Sequence, residues 1–476
     1  MAKIGFLALA AKWFSDSRKV VLRLDTDLAR DLESRIRSIE GSLAASCELI
    51  SAGIVTTEQS ALSAAAKFRE ANVDALIACC VVWSEDQPAL EVLETLQDVP
   101  LLLWCWTPGA SLPKTLSAHG LMNWTGPVGA QQIAGALRRS GRKFSFVMGS
   151  NSEKETIQEI RDFIEAAKVR RFLKHARIGL IPHRFHVMTN TWVDEFDLAR
   201  RFGVDIIYVS ANELFSSVKA VKEAELQRHL DGLRDMRISP EVKSEGIKQA
   251  AKVSLGLAKI VENLHLDAVS IADYDDELHA IMKCRPCLYS PSIFERGVVV
   301  GMEGDLLGIL GQLILSRLSG GQPTMFTEIL TYDNLRRQIL VGHPGMHDIR
   351  LAKSRSAVRL TPDYEWLQEP AGVWMEFSVR PGPVTLLSIA STQVGFHFVI
   401  TKGEALRARN RLEGYPHALV KLDIPLRSFF RTTTKIGTTQ HWALVSGDLS
   451  GRTCELANML GVECTVLNKT QDDWDT

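Results

Sequence analysis

Apolar positions along the chain follow two regimes. Up to residue 325, short apolar runs alternate with segments in which apolar residues recur every three or four positions, the pattern of strands alternating with helices. Runs at 3–10, 47–53, 73–81, 100–106 and 144–148 read as strands, and 26–39, 58–71 and 87–96 between them carry the helical period. A long charged helix at 153–175 leads into a second series, with strands at 178–182, 204–209 and 267–273 and helices near 192–202, 220–233 and 242–264. Beyond residue 349 the runs shorten and Gly and Pro punctuate them, at 372–377, 383–389, 395–401 and 418–422. A strand at 443–445, a helix to 459 and a last strand at 463–467 follow. The expected fold is α/β: two doubly wound parallel-sheet (Rossmann-like) domains, 1–170 and 171–325, then a β-rich C-terminal domain, 326–476.

Residues 296–347 concentrate carboxylates and imidazoles at the edges of these elements. The β-branched run 297–301 precedes Met302-Glu303-Gly304-Asp305 and an apolar helix over 306–318, so Glu303 falls on a strand-to-helix turn. Turns at the carboxyl ends of parallel strands collect ligands, and a helix N-terminus favours an ionised carboxylate. Segments 324–331 and 336–342 read as a hairpin through Tyr332-Asp333-Asn334-Leu335. A tight two-residue turn there places Glu328 and His343 on one face but about 13 Å apart, so a shared site needs a longer loop, a bulge or a bend. Two carboxylates and an imidazole are a hard oxygen and nitrogen set, suited to Mn²⁺ or Mg²⁺. On spacing alone the plainer readings stand beside it: a turn glutamate is usually solvated and a strand-end histidine usually bonds backbone.

Composition narrows the classes. At 476 residues, 46% hydrophobic and 23% charged, the chain can fill two or three sizeable cores. A net charge of -1 leaves no electrostatic footprint for nucleic acid. No run of 18 uncharged apolar residues marks a membrane span. The N-terminal KIGFLALA reads as a first buried strand rather than a leader, because the αβ alternation begins at once. The eight cysteines show no disulfide framework, which makes the cytoplasm the default compartment. Cys284-Arg285-Pro286-Cys287 is the only C-x-x-C and reads, like Cys79-Cys80, as core thiols. No G-x-G-x-x-G follows the first strand, so a dinucleotide site has no support.

Other polar groups lie where strands end. Trp83 to Asp86 and Trp104 to Pro108 are crevice lining or interface aromatics, and the 183–190 loop, with His186 and Met188, is a polyol contact or plain surface. Asp273, Asp275, Asp276 and Glu277 read as a solvated loop, and His441 as a strand-start histidine.

The order Glu303-Gly304-Asp305, apolar helix, Gly320-Gly321, Phe326-Thr327-Glu328, then Val341-Gly342-His343-Pro344-Gly345 resembles the L-fucose isomerase and L-arabinose isomerase superfamily, including its fucose isomerase-like members. The string GPVTLL at 382–387 and a late histidine, His441, before a strand and Gly447-Asp448 extend the resemblance over nearly the whole chain. It implies an intramolecular oxidoreductase, an aldose-ketose isomerase working on an unphosphorylated sugar through an enediolate. By the same resemblance Glu303 and Glu328 are the acid/base pair and metal ligands, and His441 is a further ligand. His343 matches a ligand of the arabinose isomerase branch. The implied ion is Mn²⁺, with Mg²⁺ or Co²⁺ as alternatives. Candidate substrate contacts are His186, Met188, Trp83 and Asp305. A pocket completed by a neighbouring subunit implies a homo-oligomer (trimer, tetramer or hexamer). Pro344 stands where the fucose branch often has Cys, and Asp273-Tyr274 where relatives often have Cys-Trp, which leaves the sugar open. Two other readings fit the same residues: a metal-dependent enzyme on a sugar acid or related carbonyl compound, and a non-catalytic sugar-binding protein.

Overall fold

Continuous apolar runs, rather than alternating ones, are what strands covered on both faces require, and the first five runs pair accordingly. In the computed structural model, which describes residues 1–15, 27–365, 372–407 and 411–468, the chain forms two compact units, Met1–Arg171 and Phe172–Thr476. The first holds a parallel sheet of β1 (Lys3–Leu9), β2 (Glu48–Val55), β3 (Ala75–Cys80), β4 (Leu101–Cys105) and β5 (Ser145–Met148), in the order β2-β1-β3-β4-β5. Cys79 and Cys80 are core thiols of β3. The helix Glu58–Ala71 starts at a capping box between Thr57 and Ser60. The helix expected at 26–39 is Asp27–Ala44, its expected first residue lying outside the described residues. Trp104 is fully buried and donates its indole N–H to the Gly149 carbonyl, so it is a core residue and lines no crevice.

In the second unit β6 (Arg177–Ile181), β7 (Asp205–Tyr208), β9 (Ala268–Ile271) and β10 (Val299–Met302) form a parallel sheet in the order β10-β9-β6-β7, while the two-residue β8 (Arg237–Ile238) joins a different sheet. The helix expected at 220–233 is Glu223–Asp231, and an unexpected helix, Ala211–Lys219, precedes it. The Ser210/Glu213 capping box fixes the start of that preceding helix, a local signal that apolar spacing does not carry.

The remaining strands are β11 (Thr324–Asp333), β12 (Gln338–Gly342), β13 (Arg359–Pro362), β14 (Val373–Ser378), β15 (Gly382–Thr392), β16 (Gly395–Ala405), β17 (Pro416–Leu422), β18 (His441–Ser446) and β19 (Glu463–Leu467). They make a mixed ten-stranded sheet with β8, in which antiparallel pairing runs β16-β15-β18-β11-β12-β17 and returns from β17 to β16, closing a six-stranded ring. The helix Leu306–Leu318 is apolar on all sides, as a helix covered all round must be. It packs against β9 and β10 and against β11, β15 and β18, with every residue except Arg317 buried. Its N-terminus therefore lies where the parallel sheet and the ring meet.

The hairpin corrects the tight-turn expectation. Asp333 pairs with Gln338 across a four-residue turn, and the register shifts between Ile329 and Thr331, leaving Leu330 as a bulge. Glu328 is thereby opposite Gly342, one residue from His343. On its other side Glu328 pairs with His441 of β18. No helix among the described residues is long and apolar enough to cross a membrane.

Candidate metal centre

Glu303 follows β10 directly and has left-handed backbone, φ +63°, as does Gly304. A Cβ on Gly304 would lie 2.6 Å from the His183 carbonyl oxygen and 2.9 Å from Arg184 Cα, so the glycine lets the 183–190 loop close down beside Glu303. Asp305 then caps the helix, accepting the Leu307 N–H at 2.8 Å. Three neighbouring strands, β10, β9 and β6, thus bring Glu303, Asp273 and the 183–190 loop to one end of the sheet.

The ring supplies the other side. Glu328, His343 and His441 meet Glu303 so that one ligand atom from each lies within 4.8 Å of the others. His441 Nε2 is 2.9 Å from Glu303 Oε2 and 3.7 Å from Glu328 Oε1, and His343 Nε2 is 3.6 Å from Glu303 Oε1. Each imidazole is oriented by its other nitrogen: His441 Nδ1 donates to Asp305 Oδ2 at 2.8 Å, and His343 Nδ1 donates to the Pro344 carbonyl at 2.6 Å. The Phe326 ring packs on both imidazoles, with centroids 4.9 Å from His343 and 4.5 Å from His441.

Electrostatics match this geometry. Burial opposes charge on Glu303, yet the facing imidazoles His343 and His441 outweigh it and hold the carboxyl well below the usual range. Burial also disfavours the imidazolium of His441, but Asp305 and Glu303 push its pKa up to about 10. His343 is raised as well: burial lowers it and Glu303 more than compensates. His441 Nε2 and Glu303 Oε2, close but not aligned for a hydrogen bond, are buried without another partner. Buried polar atoms are nearly always satisfied. Two orphaned atoms converging with a second carboxylate and a second imidazole are what a divalent ion with oxygen and nitrogen ligands would satisfy.

The other expected contacts are scattered. Asp305 is wholly buried, one oxygen on the helix cap and the other on His441. His186 is exposed. Met188 is half-buried, its sulfur accepting from Gln440 Nε2 at 3.2 Å, and Asn190 donates to Gln440 Oε1 at 2.7 Å. The loop is thereby tied to the residue next to His441. Trp83, in the first unit, donates its indole N–H to Gln132 at 3.0 Å.

Of the acidic run after β9, Asp276 and Glu277 are exposed as expected, but Asp273 and Asp275 are structural. Asp273 is buried and accepts the Glu303 N–H at 3.0 Å, and Asp275 caps the helix Asp276–Met282. Burial pushes Asp273 up to about 6, with Arg285 opposing and the Glu303 charge adding. Arg285, between two core cysteines, is also buried. It pairs with both oxygens of Asp363 and with Glu365, which in turn accepts from the hydroxyls of Tyr274 and Tyr415. Sequence reading missed the role of Arg285, and its one signal was an arginine between two cysteines read as core thiols.

No family model matches the chain. A sulfoquinovose isomerase from Priestia aryabhattai is 22% identical over 401 residues, covering 83% of this chain and 86% of that protein. An L-arabinose isomerase from Thermotoga maritima is 25% identical over 339 residues, 68% of this chain and 66% of its own length. Among solved structures, a periplasmic binding protein of the arabinose ABC transporter from Shewanella sp. ANA-3 covers 67% of this chain and 86% of its own at 10% identity, with a TM-score of 0.17.

Proposed function

The chain belongs to the superfamily of L-fucose and L-arabinose isomerases, and from that premise we propose a metal-dependent aldose-ketose isomerase acting on an unphosphorylated sugar. The observation that carries the proposal is the convergence of Glu303, Glu328, His343 and His441 within 4.8 Å. These four side chains would hold a divalent ion, Mn²⁺ first, with Mg²⁺ or Co²⁺ as alternatives. Such an ion supplies positive charge beside the oxygens on which negative charge develops when a proton leaves the carbon next to a carbonyl.

An aldose becomes its ketose when one proton moves from C2 to C1 and another from O2 to O1, through an enediolate. A carboxylate must take the carbon-bound proton and return it one atom away. Glu303, held ionised between two imidazoles, is the better ligand, while Glu328, whose side chain is 30% exposed, is the carboxylate that substrate reaches. We therefore assign the carbon-to-carbon transfer to Glu328, with Glu303 holding the ion and assisting the oxygen-bound proton. Asp305 becomes a positioning residue rather than a substrate contact. His186, Met188 and Trp83 remain the proposed contacts, and the site is proposed to be completed in a cytoplasmic homo-oligomer. The same reading divides the chain into doubly wound domains 1–170 and 171–325 and the β-rich domain 326–476.

Isomerisation of an aldose panel including L-arabinose, L-fucose and sulfoquinovose, with aldonates alongside and with and without chelator, is the test. Turnover that chelator abolishes supports the proposal. Turnover of aldonates alone supports the sugar-acid reading, and a protein that binds the ion but turns over none of them is the non-catalytic form.

A further inference from the structure

We propose that Asp273, fixed by Arg285, is a positioning residue that holds Glu303 in its left-handed conformation facing His343 and His441. The inference rests on the isomerase reading only for what the cluster binds.

The parallel ladder between β9 and β10 ends at Ile271 and Met302. Beyond it the Gly304 N–H still finds a backbone acceptor, the Ile271 carbonyl at 3.1 Å, and the Asp305 N–H reaches the Met302 carbonyl at 3.3 Å. The Glu303 N–H is bonded to a side chain instead, Asp273 Oδ1 at 3.0 Å. Glu303 is also a non-glycine residue with φ +63°, a left-handed conformation that is unfavourable for an L-residue and persists only when its surroundings over-determine it. Asp273 is the group that does so from outside the turn.

A buried carboxylate must itself be held. Asp273 Oδ2 has no hydrogen bond, and its facing charge is Arg285 Nη1 at 3.6 Å. Arg285 cannot drift: Nε and Nη2 grip Asp363 at 2.9 and 2.7 Å, Nη1 reaches Glu365 at 2.9 Å, and the rings of Trp374 and Tyr274 lie 4.5 and 5.0 Å from its guanidinium carbon. The order of support runs from Asp363 to Arg285 to Asp273 to the Glu303 amide. A turn of Glu303 back to right-handed φ would break the hydrogen bond from its N–H to Asp273 and swing its carboxylate off the imidazoles.

The test measures single-amide hydrogen exchange in the metal-free protein and Mn²⁺ affinity by calorimetry, for wild type, Asp273→Ala and Asp273→Asn. In Asp273→Ala the Glu303 amide should exchange about tenfold faster or more while Gly304 and Asp305 keep their protection, and Mn²⁺ should bind about 10- to 100-fold more weakly. Asp273→Asn keeps an oxygen for the amide and should recover part of both losses. If Asp273→Ala does not fold, a partial loss confined to Glu303 in Asp273→Asn carries the same meaning. Unchanged Glu303 exchange, faster exchange with wild-type Mn²⁺ affinity, or a uniform rise across β9 and β10 would each overturn the assignment. Wild-type protein that holds none of Mn²⁺, Mg²⁺ and Co²⁺ refutes the isomerase reading instead, and the exchange arm still decides the role of Asp273.

Discussion

His441 and Asp305 are bonded side chain to side chain at 2.8 Å, Nδ1 to carboxylate, with neither exposed to solvent. The bond leaves Nε2 as the nitrogen that faces Glu303. Because Asp305 also caps the helix Leu306–Leu318, the same residue that starts a core helix orients an imidazole of the ring.

Asp305→Asn separates those two roles, since Asn caps a helix nearly as well as Asp but brings no charge to Nδ1. The variant should unfold within a few degrees of wild type yet bind Mn²⁺ about tenfold or more weakly. Calorimetric titration beside a thermal melt reads both, and equal affinities would remove Asp305 from the site.

Glu303→Gln keeps shape and burial but removes the charge between the two imidazoles. Turnover should fall about 100-fold or more, because the donor set loses its central anion, with the circular dichroism spectrum unchanged. Activity near wild type would count against Glu303 as a ligand.

Ion binding should release protons. In the metal-free protein His441 stays protonated up to about pH 10, raised by Asp305 and Glu303 against the opposing effect of burial, whereas a ligand imidazole must be neutral. Mn²⁺ affinity should therefore climb as pH rises toward that value, and calorimetry in two buffers of different ionisation heat should show proton release at neutral pH. Without metal the sign for stability is the reverse. The raised pKa contributes fully below the unfolded imidazole value of about 6.5 and is lost as pH rises through the folded one. An affinity flat across neutral pH would contradict the charged imidazole.

Gly308→Ala tests the packing under the site. An added Cβ would lie 2.5 Å from Phe326 Cε2 and 2.8 Å from Asp305 Oδ2. Helix propensity alone favours Ala by about 1 kcal/mol. A net loss of about 1–3 kcal/mol in urea unfolding, the range for overpacking, would show that Phe326 and Asp305 cannot yield, and a stabilised variant would show that they can.

Much of the architecture was legible because it depends on local patterning. The apolar runs that became β1, β3 and β4 are buried along nearly their full length, and a helix at 306–318 with apolar residues on every side had nowhere to be but the core. Glu303 on a strand-to-helix turn followed from the order of residues around it. The helix Ala211–Lys219 was missed because a capping box at Ser210 set its start, a boundary that periodicity ignores.

The sequence by itself determined most of the strands and helices, that Glu303 and His441 stand at element ends, and that the donors are hard ones. Only the tertiary structure decided that these donors meet. The Leu330 bulge and four-residue turn moved Glu328 next to His343, and closure of the ring set Glu328 opposite His441. Asp273 reads as solvated until Arg285, itself held by Asp363 and Glu365, is seen to face it. The reason is physical: secondary structure follows from neighbours within a few positions, whereas a buried charge is tolerable only beside counter-charges that the fold brings from far along the chain.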